Sequence, residues 1–331
     1  MPRTLSITVD HFGLKTPFRI SRGAKTAAEV VTVRLEQDQV LGRGEGVPYA
    51  RYGESPAASV AAIEAVRDAV ENGASRADLL TLMPAGAARN AVDAAMWDLE
   101  AGRQGRSVAQ IIGGREPDAL VTALTISLDT PEAMARAAAS LTKAAVLKIK
   151  VDRDDPLARL RAIRAQAPAA AFIVDPNESW TIDDLERWSP ALLDLGVILL
   201  EQPLPADDDD GLLGFASPVP IAADESAHGI ETLDRVAARY QVVNIKLDKT
   251  GGLTAALDLV HAARARGLGI MTGCMVCSSL SIAPAAHIAV QSDFVDLDGA
   301  VGLVADRVDG IEVDDRGAMS FGTVPTFWGG R

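Results

Sequence analysis

Cysteine is nearly absent from this 331-residue chain, which carries only Cys274 and Cys277. A disulfide-stapled fold is therefore excluded. Their C-x-x-C spacing has no second Cys/His pair nearby to complete a zinc site, so the two read as small buried thiols in a reducing compartment. Histidine is also scarce. None of His11, His228, His261 and His287 closes a strand-like run beside an acid. Ser278 and Ser279 lack a G-x-S-x-G elbow and triad partners, which argues against nucleophilic hydrolysis. Basic residues fall short of acidic ones, 32 against 45, and the net charge of −13 speaks against nucleic acid or an anionic membrane surface as partner. An anionic substrate would need a local cation. No apolar run is long enough to span a bilayer, and the opening MPRTLSITVD lacks the apolar core of a secretory signal, so the expected location is cytoplasmic. What is plentiful is apolar sequence, 48% of residues, enough for a large folded core.

From about residue 120, β-rich runs alternate with Ala/Leu/Arg-rich helical stretches. The runs are 121–128, 146–151, 171–177, 197–203, 220–226, 242–248, 269–275 and 294–299. Eight such units predict an α/β fold, a TIM-type (β/α) barrel with parallel strands. An open doubly wound sheet would require a Gly-rich turn after its first strand, and none is present. The first ~110 residues place strands before helices, the pattern of an α+β cap. The expected division is a capping domain at 1–115, a catalytic barrel at 116–310, and a segment at 311–331 that packs back on the cap. Two cap loops rich in glycine and charge, ISRGAKT (20–26) and YARYGES (49–55), are expected to act as lids over the barrel mouth. The acidic run 207–210 reads as a solvated loop.

The strand-like runs end in charge. Lys148 and Lys150 close the second, Asp175 the third, Glu201 the fourth, Asp224 the fifth and Lys246 the sixth, at intervals of 22 to 26 residues from Lys150 onward. Asp296 and Asp298 close the eighth. A buried strand has little reason to end in a charge unless that charge faces a site. Three carboxylates on adjacent strands repel one another without a cation, and an all-oxygen set suits Mg²⁺ better than zinc. Lys150 and Lys246 fall on strands opposite each other in an eight-stranded barrel. Two bases across one carbon can take a proton from one face and return it to the other, with the metal stabilising the enediolate between. Lys148 lies two residues before Lys150 on the same face and reads as a clamp on the substrate carboxylate. Asp296 and Asp298, opposite the metal arc, suit an ammonium. The implied substrate is a small zwitterion with an acidic α-C–H.

These residues resemble the enolase superfamily, in particular its Lys/Lys muconate-lactonizing subgroup, across essentially the whole chain. ARNAVDAAMWDLEAG (88–102) is similar to the family's cap helix. K-x-K (148–150), VDPNESW (174–180), LEQP (200–203), ADES (223–226) and NIKLDKTGG (244–252) are similar to its barrel motifs, in order. The closest resemblance is to dipeptide epimerases, whose last-strand D-x-D falls on Asp296 and Asp298. The resemblance implies Mg²⁺ on Asp175, Glu201 and Asp224, catalysis by Lys150 and Lys246, and an L-Ala-D/L-Glu dipeptide from peptidoglycan turnover as substrate. It also implies that Arg22 and Tyr52 in the lid loops contact the substrate side chain, and it leaves a homo-oligomer open. Two departures stand out: Pro176 and Glu178 lie where many members read DANQGW, and Ala300 replaces the proline of DLDGP. The alternatives are another Lys/Lys activity (cycloisomerase, o-succinylbenzoate synthase or N-acylamino acid racemase) or a non-catalytic Mg²⁺-dependent binding protein.

Overall fold

Residues 2–321 and 327–329 are described by the computed structural model. Three antiparallel strands open the chain: β1 (Thr4–Ile20), β2 (Gly23–Gln37) and β3 (Val40–Gly46). Alternating valines and leucines of β2 (Val31, Val33, Leu35) turn one sheet face inward, where Ile63, Leu79, Val92 and Leu99 from the following helices cover it. The helix Ala87–Gln104 runs across this face, and most of its residues are buried. Strands β1 and β2 are longer than the sequence pattern suggested. Their pairing shifts register between Gly13 and Phe18, then resumes at Phe18↔Lys25 and Ile20↔Gly23. The 20–26 segment is thus the tip of a β-hairpin rather than an irregular loop. Where the register breaks, the strand pairs instead with the segment after the last barrel strand, through Lys15 N–H to Gly302 O and Val304 N–H to Gly13 O.

The second unit is an eight-stranded parallel sheet: β4 (Leu124–Ile126), β5 (Val146–Lys150), β6 (Ala171–Asp175), β7 (Val197–Glu201), β8 (Ile221–Ala223), β9 (Val242–Ile245), β10 (Gly269–Gly273) and β11 (Phe294–Asp296). Each strand neighbours the next in sequence. Ala123 N–H to Val295 O and Leu297 N–H to the Thr122 hydroxyl bring the first and last strands together. Residues facing the helices, such as Leu147, Phe172, Val174, Leu200, Val243 and Ile270, belong to the large core. The other parity forms a separate plug inside the barrel: Ala123, Ile173, Leu199, Ala222, Val242 and Met271. Two residues beyond the plug on the same face come Asp175, Glu201, Asp224 and Asn244, with Lys246 two further on. The charged layer is therefore the next storey above an apolar floor.

Of the C-terminal segment 311–331, residues 322–326, 330 and 331 lie outside the described residues. The hairpin Glu312–Val313/Met319–Ser320 lies against the barrel's first strand, through the bridge Val121↔Ala318 and Met319 N–H to Leu120 O. Residues 327–329 reach the cap, where the Trp328 indole donates to Arg43 O and Gly329 N–H to Asp98.

Candidate active site

The acids and lysines of the upper storey are buried and paired with each other. Lys150 Nζ donates to Asp175 Oδ2 at 2.5 Å, and Lys246 Nζ to Asp224 Oδ2 at 2.7 Å. Lys148 Nζ lies 2.6 Å from Glu201 Oε2, 2.6 Å from Asp296 Oδ2 and 3.4 Å from Asp175 Oδ2. Burial would push the Asp175 carboxyl up, but Lys150 and Lys148 outweigh it and hold it below the usual range. Asp224 is held well below its ordinary value, because Lys246 and Lys249 overcome the same burial penalty. Glu201 has weaker support. Burial and the charge of Asp175 raise it to about 7. The Lys148 ammonium is raised well above normal, the attraction of Asp296 and Glu201 overriding desolvation.

All five carboxylates and lysines expected at the metal and the proton-transfer positions, Asp175, Glu201, Asp224, Lys150 and Lys246, lie in this storey, with Lys148 and Asp296 beside them. Asp298 is only half-buried, yet burial first and Asp296 second raise it to about 6; its Oδ2 accepts from Thr125 N–H at 2.6 Å. Tyr52 packs edge-on against His228, ring centroids 4.8 Å apart. Arg22 reaches back to the protein: it donates to Glu225 Oε1 (2.6 Å), Glu178 Oε2 (2.9 Å) and Asn177 O (2.8 Å). Arg51 from the second lid segment binds the same Glu178 at 2.9 Å. Glu178, one of the two departures noted in the sequence, thus ties both lid segments to the loop after β6. Asn177 and Glu178 have positive φ (47° and 67°), a strained backbone directly after Asp175.

Whether a hard cation fits can be read from the oxygens. Glu201 Oε2 is buried without a hydrogen-bond donor although it stands at ion-pair distance from Lys148, and Asn177 Oδ1, Asn244 Oδ1 and Asp296 Oδ1 also lack donors. Among the described residues no His/Cys/Asp/Glu group is already closed into a metal cage. The acids instead lean toward their lysines. Donor chemistry is nonetheless all oxygen and anionic, as Mg²⁺ requires. The residues fit the ion.

Several contributors escaped the sequence reading. Lys249, fully buried, donates to Asp224 Oδ1 (2.7 Å), Asp224 O (2.6 Å) and Asn244 O (3.0 Å). Asn244 donates to Glu201 Oε1 at 2.8 Å. A signal existed for both: Asn244 shares its inward parity with Lys246, and Lys249 follows Lys246 at i+3, one turn on. Asp209, expected in a solvated run, is fully buried, because Ser226, Tyr240, Arg235 and Arg239 all converge on it. Cys274 and Cys277 are free thiols; a hydrogen bond from the Cys277 thiol to Cys274 and then burial raise the Cys277 thiol well above its usual value.

A capped (β/α) barrel with lysines on opposite strands and carboxylates on the arc between defines an enolase-type enzyme. The chain belongs to that family: residues 3–113 match the mandelate racemase/muconate lactonizing enzyme N-terminal domain, and residues 132–304 the enolase C-terminal domain-like family. Within it, the chain is 47% identical over 306 residues to L-Ala-D/L-Glu epimerase of Escherichia coli K12, covering 92% of this chain and 95% of that protein. An enolase family member from Agrobacterium tumefaciens, with homology to dipeptide epimerases and solved with sodium and L-Ala-L-Glu, superposes with a TM-score of 0.96 at 45% identity, covering 99% of this chain and 100% of that one. The dipeptide epimerase of Enterococcus faecalis V583, solved with Mg and L-Leu-L-Tyr, superposes at 0.90 with 28% identity, covering 97% and 98%. Epimerases are isomerases by reaction class.

Proposed function

We propose that the protein is a Mg²⁺-dependent dipeptide epimerase acting on L-Ala-D/L-Glu and inverting the α-carbon of the C-terminal residue. The observation that carries this reading is the placement of Lys150 on β5 and Lys246 at the end of β9. Three strands of the eight-stranded barrel lie between them on either side, so they meet a bound carbon from opposite faces. Asp175, Glu201 and Asp224 would hold the metal, whose charge offsets the negative charge that develops on the α-carboxylate. One lysine removes the α-proton and the other returns a proton from the opposite side. The apolar plug below keeps water from the floor of the site. Asp296 Oδ1, buried and lacking a donor, is an acceptor for the dipeptide's α-ammonium, with Asp298 next to it. Such an ammonium favours a dipeptide over an N-acylated amino acid, which has none. Peptidoglycan peptide turnover in the cytoplasm is the context this substrate fits.

The test is incubation with L-Ala-L-Glu and Mg²⁺ in D₂O, followed by α-deuteration and chiral analysis. Lys150→Ala and Lys246→Ala should each lower epimerisation by about 10³-fold or more, while one of them keeps α-proton exchange on a single epimer. Normal epimerisation by both variants would refute the two-base reading. Faster racemisation of N-acetyl-glutamate than of L-Ala-L-Glu would transfer the protein to the racemase alternative.

A further inference from the structure

Outside the barrel mouth one carboxylate is buried in a loop whose other acids face water. Asp209 is fully buried, whereas Asp207, Asp208 and Asp210 around it are exposed. Its Oδ1 meets Arg235 at 2.6 Å and Arg239 at 3.1 Å. Its Oδ2 accepts from the Ser226 hydroxyl at 2.7 Å and from the Tyr240 hydroxyl at 2.8 Å. A carboxylate paired with guanidiniums only accepts hydrogen bonds, so each hydroxyl gives its single proton to Asp209. Toward their other neighbours the two hydroxyls then present lone pairs alone.

Both hydroxyls face Gln202, the residue after Glu201. Gln202 Nε2 donates to Ser226 Oγ at 2.9 Å, to the Tyr240 oxygen at 3.0 Å and to Leu204 O at 2.8 Å. Its Oε1 is thereby turned the other way, where it accepts from Asp224 N–H at 2.9 Å and Ser226 N–H at 3.1 Å. A reversed amide would set its NH₂ against those two N–H donors. Gln202 is fully buried, and its φ of 35° is a left-handed conformation that residues other than glycine rarely adopt. Its own N–H donates to Ala222 O, and its carbonyl accepts from Glu178 N–H, each at 2.9 Å. One side chain thus ties the end of β7 to the end of β8, and with them Glu201 to Asp224, two of the three acids assigned to the cation.

We propose that Asp209 is a positioning residue for the cation site: by taking both hydroxyl protons it fixes the Gln202 amide, which holds Glu201 and Asp224 at the spacing of a small ion. This rests on the Mg²⁺ reading above and adds what makes the site select its ion. Mg²⁺ demands oxygens at about 2.0–2.1 Å in near-octahedral order, whereas Ca²⁺ accepts about 2.3–2.6 Å and looser arrangements. Two ligands tied through one buried amide resist spreading for the larger ion. Titration calorimetry of the chelator-stripped protein with MgCl₂ and with CaCl₂ tests this. In Asp209→Asn the arginines claim the amide oxygen and the NH₂ faces the hydroxyls, which reverses the polarity passed on to Gln202. Its Kd for Mg²⁺ should rise about tenfold while that for Ca²⁺ stays within about threefold. Tyr240→Phe keeps the ring but removes one of the two hydroxyls, and should weaken Mg²⁺ about threefold with Ca²⁺ unchanged. Asp210→Asn, which removes only the exposed partner of Arg239 (2.5 Å), should change neither ion. A merely structural Asp209 would weaken both ions by the same factor, and that result overturns the proposal. So does unchanged Mg²⁺ binding in Asp209→Asn, or in Tyr240→Phe should the first variant not fold. If the unmodified protein binds no Mg²⁺, the metal reading fails and takes this one with it; Mg²⁺ binding with an ion preference indifferent to Asp209 and Tyr240 defeats this one alone.

Discussion

Asp248, two residues beyond Lys246, is buried at the junction of cap and barrel, where it accepts from Val47 N–H (2.9 Å) and the Asn90 amide (2.8 Å). Two donors do not offset the loss of water, and burial raises its pKa from 3.8 to about 7. Between those values the folded chain keeps a proton that the unfolded chain has lost. Stability from this group is therefore complete below the unfolded pKa and declines as pH rises to the folded one, by about 1.4 kcal/mol per pH unit. Asp248→Asn should flatten that part of the profile. Urea unfolding of the two proteins at pH near 4 and near 7 measures it, and equal slopes would show that Asp248 is ionised in the fold. Asp248 closes the strand-like run 242–248 in the sequence, but nothing there marked its burial against the cap, because its partners lie 158 and 201 positions away. The inward acids and lysines were legible for the opposite reason: strand parity and the βα interval are local, and they put Lys150, Asp175, Glu201, Asp224 and Lys246 in one layer. Which lysine binds which acid was not legible, since neighbouring strands and not neighbouring residues decide it.

Among the elements, the VLGRGEG strand shows a pattern whose meaning appears only when a helix is laid on it. Added Cβ atoms at Gly42, Gly44 and Gly46 would stand 2.2, 2.1 and 2.0 Å from the carbonyl oxygens of Ala95, Ala91 and Ala87. Glycine at every second strand position thus meets a carbonyl at every fourth helix position, and the helix backbone lies directly on β3. Gly44→Ala must force the two apart at a cost of about 3 kcal/mol or more. Because β3 leads into the lid segment that carries Tyr49 and Tyr52, the variant should also raise KM for the dipeptide. A drop in unfolding free energy under about 1 kcal/mol would mean that the contact relaxes freely. The hairpin tip teaches a related lesson. Its glycine and charge suggested a loop, whereas thirteen paired positions between β1 and β2, interrupted by one register shift, carry a rigid strand pair out over the mouth. Turn chemistry located the bend but could not reveal how far the pairing continued around it.

For the molecule as a whole, the net charge of −13 arises outside the barrel mouth, where four acids, Asp175, Glu201, Asp224 and Asp296, are matched by the four buried ammoniums of Lys148, Lys150, Lys246 and Lys249. Barrel, cap and charged storey were readable from periodicity, but the balance inside the storey follows from three-dimensional proximity. Glu201 is its weakest point: raised to about 7, with one oxygen lacking a donor, it is the acid that gains most from a divalent ion. If Asp175, Glu201 and Asp224 bind Mg²⁺, binding to the folded chain alone must stabilise it. At a hundred times Kd the gain is about 2.7 kcal/mol, or a rise in thermal midpoint of about 5 °C for a chain of this size. Calorimetry of chelator-stripped protein with and without millimolar Mg²⁺ measures this independently of turnover. Glu201→Gln should abolish the Mg²⁺-dependent rise while raising the metal-free midpoint, because the amide removes the least-compensated buried charge. A midpoint indifferent to Mg²⁺ in the unmodified protein would mean that the lysines alone satisfy the storey and that the metal assignment is wrong.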